Sequence, residues 1–119
     1  MQRDLRLKRQ EDFARLRQSG RAWRHPFFVL SVAPNRLTHN RYGFVTSKRL
    51  GKSVVRSRVR RLLREAVRHA HPFITPGHDL AFIARAPIVG QPYQAVEQAV
   101  QSGLQQAGLW SPPPEEQSQ

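Results

Sequence analysis

The chain has 119 residues, with 20 lysines and arginines against 8 aspartates and glutamates, a net charge of +12, and no cysteine. That length suits one domain that buries about two-thirds of its unfolded surface. The lack of cysteine excludes a disulfide framework and thiolate metal sites and fits a reducing cytoplasm, while no apolar run approaches the ~18 residues of a membrane span and the first 20 residues lack the apolar core of a signal peptide. Charge is unevenly placed: residues 1–85 hold all 20 basic groups, 17 of them arginine, against five acids, whereas residues 86–119 hold three acids and no base. This asymmetry points to a basic working region and a C-terminal part with a structural job.

In chain order, residues 1–9 read as a basic, partly mobile arm, with only Leu5 and Leu7 as core candidates. Phe13 and Leu16 share a helical face over 10–19, Glu11 and Asp12 suit its positive N-terminal end, and Gly20 stops it. Phe27 to Val32 and Arg41 to Ser47 read as strands, the latter with Tyr42, Phe44 and Thr46 on one face and Gly43, Val45 and Ser47 on the other. A helix follows from about Ser53, a candidate N-cap, to His69. Thr75-Pro76-Gly77-His78 is a turn, Asp79 to Arg85 an interior strand, and Pro92 opens a last helix with Tyr93, Val96, Val100 and Leu104 on one face. The expected architecture is one α+β domain over 1–110, a two-layer α-β sandwich in the order α-β-β-α-β-α. Residues 111–119, rich in Pro, Glu and Gln, read as a disordered tail.

The helix over 53–69 carries the chemistry. Lys48 to Arg68 holds nine basic residues and one acid, Glu65, in 21 positions. Val55, Val59, Leu62, Leu63 and Ala66 form an apolar stripe, and Arg56, Arg60, Arg61, Arg64 and Arg68 are expected to fan across the opposite face. A rigid comb of guanidinium groups suits a polymer with regularly spaced phosphates, because each planar fork binds phosphate oxygens in pairs. An ordinary solvated face mixes charge signs, and this one does not. RNA or DNA fits the arginine bias better than lipid.

Other chemistries fare worse. Gly51-Lys52-Ser53 precedes a helix, but a phosphate-cradling nucleotide loop needs glycine at position 46, which is threonine. Free N–H groups at that helix start still suit one phosphate of a polymer. Five histidines and few carboxylates offer no pairing that marks an acid–base or metal nuclease. Phe13 and Phe27 are the aromatics assigned to a groove on which bases stack.

R-L-K-R-Q-E-D-F at 6–13, Gly20, S-K-R-L-G-K-S-V-V-R-S-R-V-R-R-L-L-R-E-A at 47–66 and D-L-A-F-I-A-R-A-P at 79–87 closely resemble the bacterial ribonuclease P protein subunit. The resemblance implies a left-handed βαβ crossover through the basic helix. It also implies an accessory subunit, not catalytic alone, that binds a catalytic RNA and precursor tRNA, with no DNA partner. The RNA subunit would hold most of the Mg²⁺ and remove the 5′ leader. RNA-subunit contacts are implied for Lys48, Arg49, Lys52, Arg56, Ser57, Arg58, Arg60, Arg61, Arg64 and Arg68. A leader cleft is implied for Phe13, Arg17, Phe27, Val29 and Ser31. Two positions depart from the family pattern: Ser57 stands where asparagine is usual, and Arg17 where a second aromatic is common. A stand-alone RNA-binding module is the alternative reading.

Overall fold

Four short strands build a single sheet whose two faces are covered by different helices. The computed structural model describes residues 5–111. Its elements are α1 (Gln10–Ser19), β1 (Arg21–Arg24), β2 (Phe28–Pro34), β3 (Arg41–Val45), α2 (Ser53–Ala70), β4 (His78–Ala84) and α3 (Tyr93–Gln106). The strands lie in the order β1-β2-β4-β3. β1 and β2 are antiparallel, as are β2 and β4, and β3 runs parallel to β4. The parallel pair is joined through α2, as a βαβ crossover requires.

Phe28, Leu30 and Val32 of β2, Tyr42 of β3, and Leu80, Phe82 and Ala84 of β4 form the main core with buried residues of α2 and α3. Val59, Leu63, Ala66, Val67 and Ala70 supply the α2 side, and Val96, Ala99, Val100, Gly103 and Leu104 the α3 side. The rings of Phe28 and Phe82 meet edge to face at 5.2 Å, a favoured geometry for aromatic pairs. The period-2 alternation sends Ala33, Ala81 and Ile83 to the other face, where they pack with Leu7, Phe13 and Leu16.

Three expectations change. β1 was not anticipated, so the order becomes α-β-β-β-α-β-α; Trp23 packs on the main core while its neighbours are exposed. Residues 5–8 are not a free arm: Leu7 is buried and donates its N–H to the Tyr42 carbonyl at 2.8 Å, next to a parallel bridge between Arg6 and Tyr42. These residues border the open edge of β3. Ser53 is the first residue of α2 and not its cap, which is Lys52, without a side-chain capping bond. Trp110 bridges Ile74, inside the expected 1–110 domain; residues 112–119 and the first four of the arm lie outside the described residues.

Candidate nucleic-acid interface

The helical repeat places the α2 arginines on more than one face. Arg56, Arg60 and Arg64 are half-buried, adjoining the buried stripe on the side of β3, while Arg58, Arg61 and Arg68 are exposed. The expected fan opposite the apolar stripe is therefore corrected: a rotation of about 100° per residue puts Arg56 and Arg60 on either side of buried Val67. Arg60 donates to Thr46 Oγ1 at 2.6 Å and to Ser57 Oγ at 3.3 Å. The Ser57 hydroxyl thus keeps one hydrogen bond, which steadies the Arg60 fork from one turn away. Arg68 is committed elsewhere: it donates to both Glu65 oxygens at 2.6 and 3.2 Å, and His69 Nε2 lies 3.0 Å from Glu65 Oε1. This pairing holds the Glu65 carboxyl below its usual range, chiefly through the Arg68 hydrogen bond. Among the described residues, Arg58 and Arg61 make no salt bridge or side-chain hydrogen bond.

Lys48 and Arg49 are exposed on the turn Lys48–Leu50, anchored by buried Leu50, and Lys52 is exposed at the start of α2. A pocket of about 280 Å³ brings Arg60 and Arg64 together with Arg6 and Lys8, over Leu7, Tyr42, Gly43 and Phe44. Arg6 and Lys8 were missed as site residues. Their signal is Leu7 between them: one apolar side chain buried on the sheet holds two cations beside it.

On the opposite face the registers define three rows. Arg41 and Ala33 flank Asp79; Gly43 and Ser31 flank Ala81, with Ala22 next to Ser31; Val45 and Val29 flank Ile83, with Arg24 next to Val29. α1 docks on the first two. Asp79 is fully buried and accepts from Arg15 Nη2 at 2.5 Å, from Asn35 Nδ2 at 3.0 Å, and from Arg41 Nε and Nη2 at 2.9 and 2.8 Å. Arg41 also reaches Asp12 at 3.4 Å. Burial alone raises the pKa of Asp79, but hydrogen bonds from Arg41, Asn35 and Arg15 outweigh it and hold the carboxyl below its usual value. The clamp ties α1, β3 and β4 together where α1 crosses the sheet.

The third row stays more open. Phe13, Arg17 and Gln10 of α1 and exposed Val45 line a groove of about 400 Å³, and half-buried Val29, Ser31 and Ile83 continue the same sheet face. Phe27 does not join Phe13. It precedes β2 and packs on the main core, lining a separate pocket with His25, Ala95, Gln98, Ala99 and Ser102. The cause is local: Phe27 lies in the turn between β1 and β2, where His25 N–H donates to the Phe28 carbonyl at 2.8 Å and Phe27 N–H to His25 Nδ1 at 3.0 Å, so the strand alternation does not extend back to it.

Among the described residues, no three of His, Asp and Glu gather as metal ligands. The buried carboxylates Asp12 and Asp79 are occupied by arginine, so these two do not offer a free donor set for an ion. No helix of the described chain is long and apolar enough to cross a membrane.

A family model described as Ribonuclease P matches residues 1–108. The ribonuclease P protein component of Herpetosiphon aurantiacus is 47% identical over 110 residues, covering 92% of this chain and 89% of the relative. That of a Roseiflexus species is 46% identical over the same length, with 92% and 90% covered. The solved RNase P protein of Staphylococcus aureus superposes with a TM-score of 0.83 at 27% identity, covering 90% of this chain and 98% of that one. The Thermotoga maritima RNase P protein shares the fold with a TM-score of 0.79 at 24% identity, with 85% and 96% covered. On sequence and fold together, the chain belongs to the ribonuclease P protein family.

Proposed function

We propose that this subunit binds the catalytic RNA through the α2 side and the 5′ leader of precursor tRNA through the groove between α1 and the sheet. The observation that carries the reading is the separation of these surfaces: arginines flank and project from α2 on one side of the sheet, and an aromatic-lined groove opens on the other. In the RNA-subunit contact, Arg58 and Arg61 offer uncommitted guanidiniums. Lys48, Arg49 and Lys52 extend the charge toward the start of α2, and Arg56, Arg60 and Arg64 carry it to the β3 edge. Ser57 orients Arg60. Arg68 contributes less, because Glu65 already neutralises it.

In the groove, one face of Phe13 offers a stacking surface for a base, and Arg17 a phosphate contact in place of a second aromatic. Val29 and Ser31 belong to its floor, and Arg24, next to Val29 in register, lies on its outer rim. Phe27 is outside this site. Mg²⁺, held mainly by the RNA subunit, supplies the hydrolytic chemistry. The protein's part is to place the leader and neutralise phosphate charge, which strengthens binding at low cost in reorganisation. The site of action is the cytoplasm.

The experiment is cleavage of precursor tRNA with Mg²⁺ by protein alone, RNA subunit alone, or both. Cleavage by RNA alone at high salt, and at low salt only or faster with protein, is expected. Cleavage by protein alone contradicts the reading. No effect of protein on the RNA enzyme at low salt favours a stand-alone RNA-binding module.

A further inference from the structure

Gly43 lies in the interior of β3, paired with Ala81. It is absent from the glycines with positive φ, so its backbone is open to any residue. Glycine in a strand interior packs no side chain and costs conformational entropy, and its presence here answers to a close approach. A Cβ at position 43 falls 2.6 Å from Cζ and 2.7 Å from Cε1 of Phe13, and 3.2 Å from Cβ of Leu7. Carbon atoms pack best at about 3.5–4.0 Å. The Phe13 ring therefore rests on bare backbone, in a seat that only glycine leaves open.

The helix carrying that ring has little room to retreat. Leu16 is buried among Ala33 and Ala81, and Asp12 and Arg15 of α1 are held by the Arg41–Asp79 clamp. A methyl group at 43 would meet a ring whose helix is fixed, and the ring would turn outward into the groove it shares with Gln10, Arg17 and Val45.

We propose that Gly43 is a positioning residue for leader binding: it seats the Phe13 ring on β3 so that one face of the ring stays exposed in the groove. This rests on reading the groove as the leader site, and the test separates the two. Holoenzyme is reconstituted with Gly43→Ala, Phe13→Ala, Phe13→Leu and the two combinations with Gly43→Ala. Affinity is then measured for precursor tRNA and for tRNA without a leader. Stacking of one base is worth about 1–3 kcal/mol, so Phe13→Ala should reduce leader-dependent affinity by roughly 5- to 150-fold. Gly43→Ala should fall in that range while leaderless binding is unchanged. Adding it to Phe13→Ala or Phe13→Leu should cost no further leader affinity, because the ring atoms it meets are gone and the remaining 3.2 Å approach to Leu7 Cβ lies in the packing around Leu16, where it lowers stability and not leader binding.

Full leader affinity in Gly43→Ala overturns the proposal and leaves the groove reading intact. So does equal loss for both substrates, or an added loss in the combined variants. If Gly43→Ala alone does not fold, the Phe13→Leu background decides: a further leader-dependent loss there overturns the proposal. If Phe13→Ala leaves leader affinity unchanged, the groove reading fails and the proposal with it.

Discussion

On α2, Arg58 and Arg61 project without partners among the described residues and Arg60 reaches only hydroxyls, whereas across the sheet Arg15 and Arg41 are consumed by Asp12 and Asp79. The same side chain serves a surface in one region and the fold in the other. What separates them is the supply of carboxylates. Lys48 to Arg68 contains one acid, and it commits only Arg68; α1 and β4 bring two acids to bear on two arginines. A count of positive charge therefore overstates the binding surface, and the carboxylate pairing shows which arginines to discount.

This contrast can be broken most severely at Asp79. Asp79→Ala leaves the Arg15 and Arg41 guanidiniums facing a buried vacancy, and loss of one partner of a buried pair costs about 3–5 kcal/mol. Chemical denaturation should show a loss near the lower end, since Arg15 is 45% exposed at its side chain; a loss below ~1 kcal/mol would mean the clamp is not structural. The sign of the pH effect follows from the depressed pKa of Asp79. Its contribution is present above the unfolded value near 3.8 and is lost as pH falls through the lower folded value. Asp79→Asn should lessen this acid sensitivity.

A smaller effect is expected at His71. Its ring nitrogen Nδ1 meets the Tyr42 hydroxyl at 2.7 Å, and burial, with His39 nearby, lowers its pKa from 6.5. The unfolded chain then binds a proton more readily, so stability falls as pH drops from about 6.5 toward the lower folded value. Thermal melts of His71→Gln should show a shallower decline across that window; an unchanged slope would place the titration elsewhere. Smallest of all is Arg68→Ala. The Arg68–Glu65 pair is exposed on the helix and screened by solvent, so denaturation should register little, and RNA-subunit affinity should fall less than with Arg61→Ala. A loss as large as Arg61→Ala would show that Glu65 does not neutralise Arg68.

Much of the fold is legible because α2, α3, β2 and β4 repeat their apolar residues at clear periods. β1 is not: Arg-Ala-Trp-Arg has no β-branched residue and buries one side chain only partly, so its identity comes from pairing with β2. For the site, the α2 arginines announce themselves by composition, but their division between flank and open face depends on where the sheet lies. Phe13 and Arg17 line one groove because both belong to one helix face. Phe27 misleads because strand parity predicts the face of Val29, and the His25 turn cancels that parity. The clamp did leave a trace in the sequence, a carboxylate at Asp79 directly before Leu80-Ala81-Phe82-Ile83-Ala84. A charge at the head of an interior strand demands a partner, although nothing local says that Arg15 and Arg41 supply it.

The most direct test of this division of labour is the salt dependence of RNA-subunit binding, compared between Arg60→Ala/Arg61→Ala and Arg15→Ala. Each lost phosphate contact lowers the log–log slope by roughly 0.7–0.9. The α2 pair should reduce it by about twice that, with Arg15→Ala leaving the slope unchanged and lowering thermal stability instead. Equal slopes for wild type and the α2 pair, or a loss of slope in Arg15→Ala, would contradict the assignment of α2 as the RNA-binding face.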